Sequence, residues 1–177
     1  MPAMGLKTNR MTTTGNAGFV KHQTHLRAGD KAPRFEGRDQ HGLVISASSF
    51  PGKSIILYFY PKDDTEACTA TACSLRDEHL YLDSRHYAVV GVSADNERSH
   101  LKFAAKYELD FSLLADVDKK IITAYDVWGK KMLFGRIYDG IVRTTFIIGP
   151  DGIIRHVIHD VDTKHHAQQI LELEGAE

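Results

Sequence analysis

Ile55-Ile56-Leu57-Tyr58-Phe59-Tyr60-Pro61-Lys62-Asp63-Asp64-Thr65-Glu66-Ala67-Cys68 is the stretch on which the reading of this chain turns. Its first six residues would be apolar on both faces of an extended strand, which suits a central, buried strand. A helix from about Thr65 to Ser84 is predicted next, with Leu75, Leu80 and Leu82 as its apolar positions. Cys68 then falls in the first turn of a helix entered from a buried strand. A helix N-terminus carries a partial positive charge and unpaired N–H groups, which favour a thiolate over a thiol. The thiolate is the nucleophile, so the chain reads as a cysteine redox protein.

Working outward, Leu43 to Ile45 reads as a short strand after the turn Gln40-His41-Gly42. Ala88 to Val92 is rich in β-branched residues and reads as a second buried strand. Asp95 or Asn96 caps a helix to about Tyr107, with Leu101, Ala104 and Ala105 inward. Phe111 to Leu114 is a short strand, Lys119 to Tyr125 a short helix, and Trp128 to Gly140 a long loop. Thr144–Ile148 and Ile153–Ile158 flank Gly149-Pro150-Asp151-Gly152, a hairpin signature. A last helix spans about Thr163 to Leu173. Alternating strands and helices argue for a sheet with a parallel portion, and the terminal hairpin adds antiparallel strands. The expected class is α/β, a thioredoxin-like fold with a central mixed β-sheet flanked by helices on both faces. Residues 1–26 are polar and aperiodic and are expected to form an N-terminal extension, flexible or partly left over from cloning. Residues 27–177 form the expected domain.

At 177 residues the chain is long enough for one domain with a substantial core. Apolar residues make up 42% and charged residues 25%, as in soluble globular proteins. A formal net charge of −1 gives no reason to expect a nucleic-acid partner. The apolar runs are far too short to span a membrane, and the N-terminus holds no apolar stretch of signal-peptide length. A cytoplasmic location is expected. Cys68 and Cys73 are the only two cysteines, too few for a disulfide scaffold and without the further ligands a metal needs.

On one regular helix, five residues rise roughly 7.5 Å and turn roughly 500°, which leaves Cys68 and Cys73 about 140° apart around the axis. Their Cα atoms would be roughly 8.6 Å apart, whereas a disulfide needs about 6.8 Å or less and facing Cβ vectors. The pair cannot bond in an intact helix. That spacing suits a thiol that reacts alone first, as in a peroxidase: a sulfenic acid on Cys68, then condensation with Cys73 after the helix opens. The bland alternative makes both cysteines small buried apolar residues. Asp63, Asp64 and Glu66 would oppose a thiolate if they faced it. A cation from elsewhere is therefore needed, and Arg143, just before the strand Thr144–Ile148, is the candidate.

At these residues the chain resembles the peroxiredoxins, and specifically the peroxiredoxin Q group, also called bacterioferritin comigratory protein. Pro61, Thr65 and Cys68 meet the motif Pro-x-x-x-Thr-x-x-Cys, and Cys73 meets the group's spacing to a second cysteine in the same helix. Gly91-Val92-Ser93, Phe111 to Asp116, Val127-Trp128-Gly129 and Arg143 to Ile148 are also similar, so the likeness covers about Leu26 to Leu173. It implies a peroxidatic Cys68 and a resolving Cys73. Thr65 would hydrogen-bond the thiolate and the peroxide oxygens, Pro61 would shield the site, and Arg143 would stabilise the thiolate and polarise the peroxide. It implies hydrogen peroxide and alkyl hydroperoxides as substrates, thioredoxin or a similar dithiol protein as reductant, and no metal or organic cofactor. Many members are monomers; a dimer is the alternative. Glu66-Ala67 departs from the small residues that many relatives carry before the cysteine.

Rival functions are a general thiol–disulfide oxidoreductase, against which the spacing argues, and a redox-sensing binding protein without turnover. The ten histidines, among them His22, His25, His156, His159, His165 and His166, are expected to be solvated rather than metal ligands. Trp128 is expected in the core.

Overall fold

A computed structural model describes residues 18–175. The expectation for most of the N-terminal extension falls outside these residues. The first elements are a two-stranded antiparallel ribbon, β1 (Glu36–Arg38) and β2 (Val44–Ser46). Then come β3 (Ser54–Phe59), α1 (Glu66–Asp77), α2 (His79–Ser84), β4 (Tyr87–Ser93), α3 (Glu97–Tyr107), β5 (Ser112–Ala115) and α4 (Lys120–Ala124). The chain continues through β6 (Trp128–Leu133), β7 (Arg136–Ile141), β8 (Thr144–Ile148), β9 (Ile154–Ile158) and α5 (His166–Leu173).

The central sheet runs β5-β4-β3-β8-β9. β3 pairs in parallel with β4, and β4 with β5, while β8 lies antiparallel to both β3 and β9. This is the expected mixed sheet with helices on both faces. One apolar layer joins Ile56, Tyr58 and Tyr60 to Cys68, Ala72 and Leu75 of α1, Leu82 of α2, Phe103 of α3 and Ile170 of α5. The other joins Leu57, Phe59 and Phe146 to Ile121 and Ile122 of α4 and to Tyr125 and Val127. All six residues of β3 are buried, as a strand apolar on both faces requires.

Five local expectations are corrected. The single helix from Thr65 to Ser84 is two helices, broken at Glu78. Leu75 of α1 and Leu82 of α2 are buried, whereas Leu80, two residues before Leu82 on α2, points the other way and is 84% exposed. In α3 the inward residues are His100, Phe103 and Ala104, not Leu101 or Ala105. Asn96 accepts the Ser99 N–H at 2.8 Å, and this cap sets that phase.

The segment Trp128 to Gly140 is a hairpin, β6–β7, rather than a loop. Phe134 and Gly135 at its tip both take positive φ, the geometry of a tight turn that matches strand twist. Phe-Gly lacks the usual Asn-Gly signal, which hid it. Trp128 is 41% exposed on β6, with the Lys119 ammonium over its ring, so it is not core.

The end of the extension packs against the domain. Thr24 is buried and donates to the Tyr125 carbonyl at 2.7 Å, and His22 and His25 both bond Asp126. Among the described residues no helix is long and apolar enough to cross a membrane.

Candidate active site

β3 ends at Phe59, and the chain turns through Pro61-Lys62-Asp63-Asp64 into α1. Asp64 takes a positive φ of 58°, which makes this turn sharp. Cys68 is the third residue of α1 and is 1% exposed, so it sits in the first turn, as expected. Cys73 is half-buried further along the same helix, and both are free thiols. Their sulfurs therefore belong to different faces of one unbroken helix.

Arg143 reaches Cys68 from the other side. β8 is antiparallel to β3 with Thr144 opposite Phe59, so the residue before Thr144 arrives beside the end of β3. Arg143 Nη2 donates to the Cys68 Sγ at 3.3 Å. Its Nη1 is buried and has no partner among the described residues. A guanidinium nitrogen so placed is a donor able to bind an acceptor beside Cys68.

Pro61 is half-buried at the head of the turn. Thr65 is the N-cap of α1, yet its side chain does not cap the helix; its hydroxyl donates to the Lys62 carbonyl at 3.0 Å. Of the named residues, the structure thus joins Cys68 to Arg143 by a direct bond, and places Pro61 and Thr65 on the turn between β3 and α1.

The neighbouring carboxylates turn away. Asp63 is buried and bonded to Tyr60, Ser99 and His100. Asp64 bonds Lys106 and Tyr107, which hold its carboxyl below the ordinary value. Glu66 is exposed.

Three residues at the site were not found from sequence. Tyr58 is fully buried in the layer that holds Cys68, and its hydroxyl has no partner. Burial above all, with Cys68 and Asp63 close by, pushes its phenol well above the ordinary value. Lys131 of β6 donates to the Ile141 carbonyl at 2.6 Å, and burial with the charge of Arg143 lowers its ammonium. His166 is fully buried rather than solvated: Thr145 bonds its Nε2 at 2.8 Å and Gln169 its Nδ1 at 2.9 Å. Burial pulls its imidazole down to about 4. Only the strand alternation of β6 carries a signal for Lys131, and the sequence pattern of 128–140 suggests a loop instead.

Asp63, Asp95 and His100 offer ligating atoms within 4.8 Å of one another. The Asp63 carboxylate bonds His100, Tyr60 and Ser99, and the Asp95 carboxylate accepts from the Ser93 hydroxyl and the Asp63 backbone N–H.

A thiol in a helix first turn, bonded to a guanidinium with a spare buried donor, is equipped to attack an electron-poor oxygen and hold the charge that leaves. Similarity to known proteins agrees. The AhpC/TSA family profile matches residues 28–157. The chain is 41% identical over 146 residues to peroxiredoxin Bcp of Escherichia coli (strain K12), spanning 82% of this chain and 94% of that protein. It is 40% identical over 147 residues to peroxiredoxin Bcp of Bacillus subtilis (strain 168), spanning 83% and 94%. Among solved structures it is similar to a cysteine-to-serine variant of PrxQ from Xylella fastidiosa, with TM-score 0.79, 28% identity, and 86% and 98% of the two chains covered. It is also similar to peroxidoxin BcpB from Mycobacterium tuberculosis, with TM-score 0.75, 31% identity, and 86% and 99% covered. The chain belongs to the AhpC/TSA family, in its Bcp or peroxiredoxin Q branch, and so to the thiol-dependent peroxidases.

Proposed function

We propose that the protein reduces hydrogen peroxide and small organic hydroperoxides through Cys68. The thiolate attacks one peroxide oxygen, the O–O bond breaks, and the other oxygen leaves as alkoxide or hydroxide and takes up a proton. Cys68 becomes a sulfenic acid. Arg143 Nη2 holds the sulfur, and Nη1 is the donor left for the oxygen that gains charge. Thr65 and Pro61 shape the turn that presents the thiol. Cys73 then condenses with the sulfenic acid, releasing water and forming a disulfide. Thioredoxin or a similar dithiol protein reduces that disulfide.

The bond between Arg143 and Cys68 is the observation that carries this reading. Helix geometry supports the order of steps, because the two sulfurs cannot meet until α1 opens. A pair within one helix needs no second chain, which favours a monomer, and a dithiol reductant favours the cytoplasm. No step calls for a metal or an organic cofactor.

The test is peroxide consumption with thioredoxin, its reductase and NADPH. Cys68→Ser abolishes it; normal turnover by that variant overturns the assignment.

A further inference from the structure

Asp63 lies five residues before Cys68 and ends up inside the protein. Its Oδ1 accepts from the Tyr60 hydroxyl at 2.6 Å, and its Oδ2 from the Ser99 hydroxyl at 2.8 Å. His100 Nδ1 lies 2.7 Å from the same Oδ2, and the two side chains are 0% and 4% exposed. The backbone N–H of Asp63 donates to the Asp95 carboxylate at 2.9 Å. On its far side His100 Nε2 lies 2.9 Å from the Leu114 carbonyl. A carbonyl only accepts, so Nε2 carries a proton. Nδ1 faces the Asp63 carboxylate within hydrogen-bond distance, so the pair is closed off from solvent on both sides. The peroxidase chemistry uses none of these groups.

Their distribution along the chain is uneven. Upstream of the reactive helix, Asp63 and Asp64 tie the turn to α3, through His100 and Ser99 and through Lys106 and Tyr107. Downstream, Ser74 accepts the Ala167 N–H at 3.1 Å, and Arg76 donates to the Tyr107 carbonyl at 2.8 Å. Between Glu66 and Cys73, among the described residues, the one polar side-chain tie to another element is Arg143 to Cys68. The Thr71 hydroxyl bonds only within α1, to the Ala67 carbonyl. The segment that must unwind is bracketed by ties and is nearly free of them itself.

We infer that the buried Asp63–His100 pair is a latch, a positioning device that clamps the upstream end of the reactive turn to α3 and sets where α1 opens during turnover. The inference rests on the proposed Cys68–Cys73 cycle. With the latch closed, Pro61 to Thr65 stay in place, Cys68 is presented to peroxide, and opening is confined to Glu66–Cys73. With the latch broken, the turn loosens. Presentation of Cys68 worsens, while approach of Cys68 to Cys73 becomes easier. The two chemical steps should therefore respond in opposite directions, which a general loss of stability would not produce.

Two substitutions separate the latch from packing. His100→Gln keeps a donor near Leu114 and removes the one facing Asp63; His100→Asn keeps the donor facing Asp63. Each protein is mixed with one equivalent of hydrogen peroxide and quenched at intervals. Mass spectrometry then follows sulfenic acid formation, trapped with a 1,3-diketone, and disulfide formation. His100→Gln is expected to slow the first step about tenfold and to speed the second several-fold, and His100→Asn to keep both within about twofold. Equal changes in both rates, no change in either, or His100→Asn matching His100→Gln overturns the latch. A second measurement uses the wild-type protein alone. Amide hydrogen exchange of its oxidised form is expected to show residue 63 still protected and residues 66–73 exposed. Loss of protection at Asp63 overturns the latch. Absence of any Cys68–Cys73 disulfide in the wild-type protein overturns the cycle itself, a separate result.

Discussion

Arg143 Nη2 donates to the Cys68 sulfur at 3.3 Å, and the second terminal nitrogen of the same guanidinium is buried with no partner. One side chain thus both holds the proposed nucleophile and carries a further donor next to it. Replacing it with Gln is expected to lower the second-order rate constant of Cys68 with peroxide by about 10²–10³, the usual loss when a donor to developing charge is removed. Arg143→Lys should recover only part of this, because an ammonium keeps the charge and loses the fork. Stopped-flow reaction with hydrogen peroxide measures both.

Cys73→Ser is expected to keep the first oxidation fast and to lose turnover supported by thioredoxin. With no thiol to condense with, the sulfenic acid on Cys68 remains open to further peroxide, and the variant should accumulate sulfinic acid, one oxygen heavier again. Mass spectrometry after excess peroxide reads this directly. Unchanged thioredoxin-supported turnover would remove Cys73 from the cycle.

The two tyrosines of the β3 end should respond differently to loss of their hydroxyls. Tyr58 has no partner, so Tyr58→Phe removes only an unpaired buried group, and stability should rise or stay within about 1 kcal/mol. Tyr60 donates to Asp63 at 2.6 Å, so Tyr60→Phe should cost about 1–3 kcal/mol. Tyr58 also lies against Gly91: a Cβ there would come within 2.9 Å of its hydroxyl and 2.8 Å of Leu113. Gly91→Ala should therefore cost about 1–3 kcal/mol through overpacking. Urea denaturation compares all three.

His166 sets an acid limit on stability. Its imidazole is held at about 4 in the fold against an ordinary value of 6.5. The folded form prefers it neutral, so its contribution is fully present above pH 6.5. That contribution is lost as pH falls from 6.5 to about 4, where the unfolded chain takes up the proton first. The loss is worth roughly 3 kcal/mol at most. Comparing His166→Gln with the parent by denaturation across that range should show a shallower fall in the variant. Parallel curves would rule this out.

Much of this is legible in the sequence. A six-residue run apolar on both faces suits a buried strand, and the helix expected after it puts Cys68 in a first turn. Arg143 was visible only as a needed cation. Its arrival at Cys68 depends on β8 lying antiparallel beside β3, a long-range pairing that local pattern does not encode. The β6–β7 hairpin stayed hidden because its tip is Phe134-Gly135, with Phe134 96% exposed where a turn usually carries a small polar residue. His100 and His166 were hidden because a histidine on a helix gives no sign of facing inward unless its partner is known. Here the partners lie 37 and 21 residues away.

β3 bonds to a neighbour on each side and exposes none of its residues, and the reactive turn begins where it ends. A catalyst that dismantles part of itself at every cycle faces a problem of wear: each opening is a chance to reassemble wrongly. In the proposed cycle the segment that opens, Glu66 to Cys73, is joined through the short turn Pro61 to Thr65 to a strand buried along its whole length. The returning helix therefore closes on an unaltered surface, and the strand supplies endurance, measured in cycles survived rather than in rate.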